Sequence, residues 1–353
     1  MFEQYEDSER LSKSAVVPFR SAYQDYLLYA SSVTPGIRLG MNVIKPKQPG
    51  HLLVQLHGWH MSMPKPERRE GPSDCPYLIV QVDMRGRAFS EGEADCNGLE
   101  LVDIYDAVQS ARLEYSEYLL PEASVYLEGG SGGGGNVLAA IAKFPDLFAA
   151  ATALYGISDY ARWYNQDQTG EFRDDMDIWI GCRPEQDMER YQARSGIHLA
   201  VNLITPLYIA HGSGDIRVPV THSRDYVEEL VRLGKAHLVR YDELTGVGAR
   251  GHLANATADQ LRRMAEASER NRREHRSRLQ LPPRGILAVG GYLYTRLFRI
   301  MLDNVNALAV LEYDADMRQI RVSASQPYGY RMEWLDGQLE TGHCAVQFPL
   351  LFW

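Results

Sequence analysis

Three short runs, His51–Leu56 (HLLVQL), Tyr77–Val82 (YLIVQV) and Ser124–Leu127 (SVYL), are apolar at successive positions and therefore on both faces of an extended chain. A strand of that kind must be covered on both sides, which a sheet with one wet face cannot do. Around them stand segments with helical spacing, such as Leu99–Tyr118, with apolar Leu101, Ile104, Tyr105, Val108, Ala111 and Leu113. The alternation continues with a helix at Asn136–Phe144, strands at Leu147–Tyr155, Pro206–Ala210 and His237–Tyr241, and a helix at Val220–Leu233. This rhythm predicts an α/β fold, a mostly parallel central sheet with helices on both faces. Two further β-rich runs, Tyr26–Ala30 and Ile37–Ile44, come first.

Two segments break the rhythm. Residues 159–202 mix Tyr160, Trp163, Tyr164 and Trp179 with many charges and read as a helical, cap-like insertion after the fourth central strand. Beyond Leu281-Pro282-Pro283-Arg284-Gly285 the periodicity changes to two. Tyr294–Leu302, Ala307–Tyr313 and Gln319–Ser323 then read as strands, parted by turns at Asp303-Asn304 and Asp314-Ala315-Asp316. The expected organisation is an α/β domain over residues 1–280 and a small antiparallel β module over 281–353. The module's aromatics, Tyr292, Tyr294, Tyr328, Tyr330, Trp334, Phe348, Phe352 and Trp353, suit either a core or a recognition platform.

With 45% hydrophobic and 24% charged residues, the 353-residue chain can bury a substantial core. Its net charge of −9 argues against nucleic acid or an anionic membrane as partner. The seven arginines against three glutamates in Arg262–Arg278 read as a solvated helix face. No apolar run approaches the ~18 residues of a membrane span. The acidic start MFEQYEDSER has no apolar stretch of the signal-peptide kind, so a cytoplasmic protein is expected. Cys75, Cys96, Cys182 and Cys344 form no metal-binding pattern; reduced thiols are expected, with a Cys75–Cys96 bridge left open.

The stretch LEGGSGGGGN, Leu127–Asn136, would pass for a flexible linker, but it joins an apolar strand directly to an apolar helix. In that setting Gly129, Ser131 and Gly133 have the Gly-x-Ser-x-Gly spacing of a nucleophile elbow. The serine there adopts a strained backbone conformation, and its glycine neighbours lie too close to other backbone for a Cβ. A serine hydroxyl needs a base and an orienting acid. Asp215, on the loop after Pro206–Ala210, and His252, after His237–Tyr241, follow in the order Ser, Asp, His. The Gly132 amide is expected to donate to an oxyanion, with the Trp59 amide of the His57-Gly58-Trp59-His60 loop as second donor. His60, Met61, Trp163, Tyr164 and Trp179 are the expected pocket residues. This chemistry calls for no metal or organic cofactor. Glu128, where an apolar residue would suit a central strand, is expected to pair structurally, with Arg85 as one suitable cation.

These motifs resemble those of the α/β-hydrolase superfamily from about Leu52 to Ala254, and specifically the catalytic domain of the prolyl-oligopeptidase family of serine peptidases. The carriers are His57-Gly58, Asp83-Met84-Arg85-Gly86-Arg87, Gly129–Gly134, Gly156-Ile157-Ser158-Asp159, Arg194-Ser195-Gly196-Ile197, His211-Gly212-Ser213-Gly214-Asp215 with Val218-Pro219, and Gly251-His252. The glycines after Ser131 and the His-Gly-Trp loop are also similar to acetyl xylan esterases and cephalosporin C deacetylases. Family peptidases usually carry a β-propeller before this domain, and only residues 1–50 precede the first central strand here. A carboxylesterase acting on short-chain acyl or acetylated carbohydrate-like esters through an acyl-enzyme is therefore expected first. A small serine peptidase or aminopeptidase acting on short peptides comes second, and a non-catalytic binding protein on the same scaffold third. A homo-oligomer is compatible with each.

Overall fold

The computed structural model describes residues 16–167, 170–249 and 251–347. By contact density the chain forms two compact units: residues 1–95 with 99–128, and residues 96–98 with 129–353.

In the first unit the strands are β1 (Gln24–Ala30), β2 (Arg38–Ile44), β3 (His51–Leu56), β4 (Tyr77–Val82) and the first part of β5 (Val125–Gly130). Their order is β1-β2-β4-β3-β5, antiparallel from β1 to β4 and parallel between β4 and β3. The runs HLLVQL and YLIVQV become β3 and β4 at the expected bounds. Helix α1 (Glu100–Glu114) packs on β1 and β4, burying Leu101, Ile104, Ala107, Val108 and Ala111. Arg85 forms a bidentate pair with Asp103 on this helix, the nearer contact being Nη2–Oδ1 at 2.5 Å, and both side chains are buried. Arg85 is therefore committed to Asp103, and Glu128 takes a different partner. It accepts 2.8 Å from the Gln55 amide, the last link of a ladder with one polar side chain per strand. Gln24 donates to Asn42 at 2.8 Å, Asn42 to Gln81 at 2.7 Å, and Gln81 to Gln55 at 3.0 Å.

The second unit begins where β5 passes Glu128 into the glycine run. Helix α2 (Gly132–Lys143) starts immediately after Ser131, inside the glycines and earlier than the apolar spacing alone predicts. Parallel strands β6 (Ala150–Leu154), β7 (Leu207–Gly212) and β8 (Val239–Leu244) follow in that order. Alternation along β7 sends Tyr208 and Ala210 to α7 (Ala258–Glu274), where they meet Ala267. His211 points the other way, to Ser223 of α6 (Thr221–Arg232). The arginine-rich segment is thus the outer part of α7, where Arg262 pairs with Asp259 and Glu266.

The insertion is helical as expected: α3 (Tyr160–Gln166), α4 (Arg173–Trp179) and α5 (Met188–Gln192), with a 3-10 helix at Gly196–Asn202. Asp159 and Asp187 cap α3 and α5 through their side chains.

The C-terminal strands are β9 (Arg284–Gly290), β10 (Tyr292–Tyr294), β11 (Phe298–Leu302), β12 (Leu308–Asp314), β13 (Gln319–Ala324), β14 (Gly329–Trp334), β15 (Leu339–His343) and β16 (Ala345–Val346). Their order, β15-β14-β11-β10-β9-β12-β13-β16, puts two consecutive strands at opposite edges with only Cys344 between them. The sheet must therefore curl round on itself, and it does so about a core that includes Leu293, Phe298, Ile300, Leu311, Trp334 and Cys344. Tyr292, Tyr294 and Trp334 are buried, which makes them packing residues and not an exposed platform. Tyr292 and Tyr294 lie 6.0 and 5.7 Å from Phe144, at the end of α2. Asn202 bonds the Ala288 carbonyl and amide at 2.7 and 2.8 Å. Phe348, Phe352 and Trp353 lie outside the described residues. Cys75 and Cys96 form no disulfide, and among the described residues no helix is long and apolar enough to cross a membrane.

Candidate active site

Ser131 sits between the end of β5 and the first residue of α2 with φ +56° and ψ −122°, in the left-handed half of backbone space that a side chain seldom occupies. The conformation is pinned from both sides. The Ser131 amide donates to the Leu154 carbonyl at 3.0 Å, and its carbonyl accepts from Gly135 at 3.0 Å. A Cβ on Gly129 would stand 2.5 Å from the Gly133 carbonyl oxygen, so the turn closes only with glycine there. The same holds for the glycines that the elbow spacing leaves unexplained. A Cβ on Gly134 would meet the Gly156 Cα and the Leu154 oxygen at 2.7 Å, and one on Gly135 the Tyr160 hydroxyl at 2.6 Å. Helix α2 is thus drawn against the end of β6, and its N-terminal amides, Gly132 first, open beside Ser131.

Asp215 and His252 meet as the sequence order predicts. His252 Nδ1 lies 2.6 Å from Asp215 Oδ2, with the carboxylate fully buried and the ring mostly so. The other carboxylate oxygen, Oδ1, accepts the amides of Arg217 and Val218 at 3.0 and 3.1 Å. His211 stands behind, its Nε2 3.5 Å from Oδ2. That Nε2–H donates to the Val218 carbonyl at 2.8 Å, leaving Nδ1 to accept from the Ser223 hydroxyl at 2.7 Å. Burial pushes the Asp215 carboxyl up, but the close His211 ring, the His252 bond and the Val218 amide outweigh it and hold the group well below the usual carboxylate range. An ionised Asp215 fixes the Nδ1–H tautomer of His252, leaving Nε2 with a free lone pair. That pair of groups can take a proton from a hydroxyl and stabilise the resulting imidazolium.

Tyr155, at the end of β6, is a residue of the site that the sequence did not point to. Its ring stacks on His252 with centroids 4.5 Å apart and planes at 8°. The only available signal was a bulky residue placed between a strand end and Gly156, next to the elbow in the fold but not in the chain.

The insertion packs on the loop that carries Asp215. Trp163 stacks on Phe172 at 4.4 Å and donates to the Arg217 carbonyl at 2.8 Å. Arg217 lies over the Phe172 ring at 5.3 Å and pairs with Glu171 at 2.6 Å. Trp163 and Tyr164, expected along the pocket, are buried in the insertion's own core, Tyr164 bonded to Asp177 at 3.1 Å; Trp179 is half-buried. Trp59, His60 and Met61 belong to the first unit, Trp59 buried and the other two exposed. Their loop is organised by His57, whose Nδ1–H donates to the Gly58 carbonyl at 2.9 Å while Nε2 accepts from the Met84 amide at 3.1 Å. Burial, helped by Arg87, lowers this ring to about 4 and keeps it neutral. Among the described residues no cluster of His, Cys, Asp and Glu could hold a metal ion.

The model of the prolyl oligopeptidase family matches residues 75–266, more than half of the chain and a span that includes Ser131, Asp215 and His252. Dipeptidyl peptidase family member 6 of Caenorhabditis elegans is 27% identical over 247 residues, 63% of this chain and 32% of that protein. Uncharacterized peptidase YtmA of Bacillus subtilis is 26% identical over 222 residues, 62% of this chain and 84% of that protein. An acylaminoacyl peptidase of Pyrococcus horikoshii superposes with a TM-score of 0.59 at 21% identity, over 79% of this chain and 45% of its own. The chain thus spans about a third of the first relative and under half of that structure, and its fold is that of the α/β-hydrolases.

Proposed function

This chain belongs to the prolyl oligopeptidase family, and from that premise we propose that it is a serine peptidase that cleaves short peptides or aminoacyl amides through an acyl-enzyme. Ser131 Oγ attacks the carbonyl carbon while His252 Nε2 takes its proton. Asp215, ionised and bonded to Nδ1, orients the ring and stabilises the imidazolium. The Gly132 amide, first in α2, donates to the oxyanion. His252 then returns the proton to the leaving amine, and a water activated by the same nitrogen releases the acid.

The observation that carries this reading is the family match across all three residues, joined to a His252–Asp215 bond of 2.6 Å. It reverses the order that the sequence suggests. The ester reading leans on the glycine run and the His-Gly-Trp loop, whereas the family and both relatives are peptidases by description. The glycine run itself does not favour esters, because its glycines have local packing reasons.

A panel of aminoacyl p-nitroanilides, short peptides, p-nitrophenyl acyl esters and acetylated sugars tests it. Higher kcat/KM on the anilides or peptides is expected, abolished by Ser131→Ala. Turnover of acetylated sugars alone would return the ester reading to first place. Full activity in Ser131→Ala would remove the mechanism altogether.

A further inference from the structure

We propose that the Tyr155 ring is a positioning element for the proposed base, a rigid spacer that sets His252 at a fixed height over the elbow, and that position 130 is glycine to admit it. The inference rests on the reading of Ser131 as nucleophile and His252 as base.

The ring lies against His252 on one side and against the residue before Ser131 on the other. One face lies flat on His252 at 4.5 Å and 8°. Its far end reaches Gly130, the residue before Ser131: a Cβ built there would fall 2.7 Å from Cε2 and 2.8 Å from the hydroxyl oxygen of Tyr155. No side chain larger than hydrogen at 130 is compatible with the ring where it stands. The backbone holds the ring in place. Tyr155 has φ +41°, a conformation that a bulky residue seldom adopts and that persists only where its surroundings enforce it. Its amide donates to the Ala210 carbonyl at 2.8 Å, and the Leu154 carbonyl just before it receives the Ser131 amide at 3.0 Å. Tyr155 is therefore anchored to both the nucleophile's strand end and β7, the strand that leads to Asp215.

A spacer is needed because His252 is held to Asp215 by one hydrogen bond at Nδ1, and a ring on one bond can still tip about it. Tipping moves Nε2, and a misplacement of about 1 Å at a reacting group can cost a factor of about a hundred. A parallel aromatic face removes that freedom, and it does so through its ring and not its hydroxyl.

The test uses the full chain and a fluorophosphonate probe, with the labelling of Ser131 resolved into a maximal rate and a half-saturating concentration. Tyr155→Leu is expected to lower the maximal rate about tenfold or more with little change in the half-saturating concentration, and Tyr155→Phe to restore it to within about threefold. Gly130→Ala, which displaces the ring without truncating it, is expected to slow labelling as well. Combined with Tyr155→Leu it should add nothing further, since the methyl then has nothing to displace. Thermal unfolding of each variant shows that it is folded, and if Tyr155→Leu is not, the Phe and Gly130→Ala pair decides. A wild-type rate in Tyr155→Leu, an equal loss in Tyr155→Phe, or a wild-type rate in Gly130→Ala would overturn the proposal. Labelling that persists in Ser131→Ala would instead overturn the underlying assignment of the nucleophile.

Discussion

The Gln55 side-chain amide donates to Glu128 at 2.8 Å, and that bond ends a chain of four in which every donor points toward the carboxylate. Gln24, Asn42, Gln81, Gln55 and Glu128 stand one to a strand, in the order of the sheet, so each amide's dipole reinforces the next. Replacing the anion that terminates such a row leaves the Gln55 donor without this acceptor. We expect Glu128→Leu to destabilise the fold by about 1–3 kcal/mol in urea unfolding, and Glu128→Gln by less, since an amide oxygen can still accept. A Glu128→Leu chain as stable as wild type would show the ladder to be incidental.

The glycines of α2 make a second prediction with a built-in order. On propensity alone Gly134→Ala and Gly135→Ala should each stabilise the helix by up to ~1 kcal/mol. The packing says the opposite. At 134 the new methyl would meet backbone atoms, Gly156 Cα and Leu154 O, whereas at 135 the nearest atom is the tip of the Tyr160 side chain. Gly134→Ala should therefore cost about 1–3 kcal/mol and Gly135→Ala less. Equal or greater stability in Gly134→Ala, measured by urea midpoint, would contradict the close approach.

What the sequence displayed, and what it hid, follows from which interactions are local. Strands β3 and β4 were legible to the residue because both faces are largely buried and every position but His51, Gln55 and Gln81 is apolar. Asp215 and His252 were legible because strand and loop order in a parallel sheet brings them to one end, where they do meet. The partner of Glu128 was not, since it depends on which strands are neighbours. Tyr294–Leu302 reads as one strand but is broken after Tyr294, where the Thr295 hydroxyl donates to the Phe298 carbonyl and forces a turn. Strands β9, β14 and β15 were not legible because the apolar run of β9 is short and bounded by glycines, Arg331 and Glu333 alternate on the exposed face of β14, and β15 holds a single apolar residue. Tyr155 was invisible for the same reason as Glu128's partner: its meaning lies in a contact with a residue 97 positions away.

Asp215→Asn should be far more damaging than a neutral, isosteric change suggests. Oδ1 is held by the Arg217 and Val218 amides, so the asparagine oxygen must stay there and its NH2 must face His252. A donor opposite Nδ1 drives the ring proton to Nε2, the position that accepts from Ser131 in the proposed mechanism. We expect kcat on the best p-nitroanilide or p-nitrophenyl substrate to fall about 10³–10⁴-fold, with KM little changed. A loss below tenfold would mean that Asp215 does not set the tautomer.

His222 gives a prediction in pH. Its ring is fully buried, with Nδ1 3.4 Å from the Ser158 hydroxyl and Nε2 meeting no partner among the described residues. Burial, opposed by Asp159 and aided by Arg162, lowers it from 6.5 to about 3. Between these values the unfolded chain binds a proton that the folded chain does not, so this group's stabilisation is present above 6.5 and is lost as pH falls toward 3. The slope is about 1.4 kcal/mol per pH unit. His57, lowered to about 4, acts in the same direction but is common to both proteins in a comparison of wild type with His222→Gln. Removing the titrating ring should therefore make the variant gain on wild type by about 2 kcal/mol between pH 7 and pH 5, whatever its offset at pH 7. Urea unfolding at pH 7, 6 and 5 measures this. Parallel pH profiles would mean that His222 is protonated, or exposed, in the folded chain.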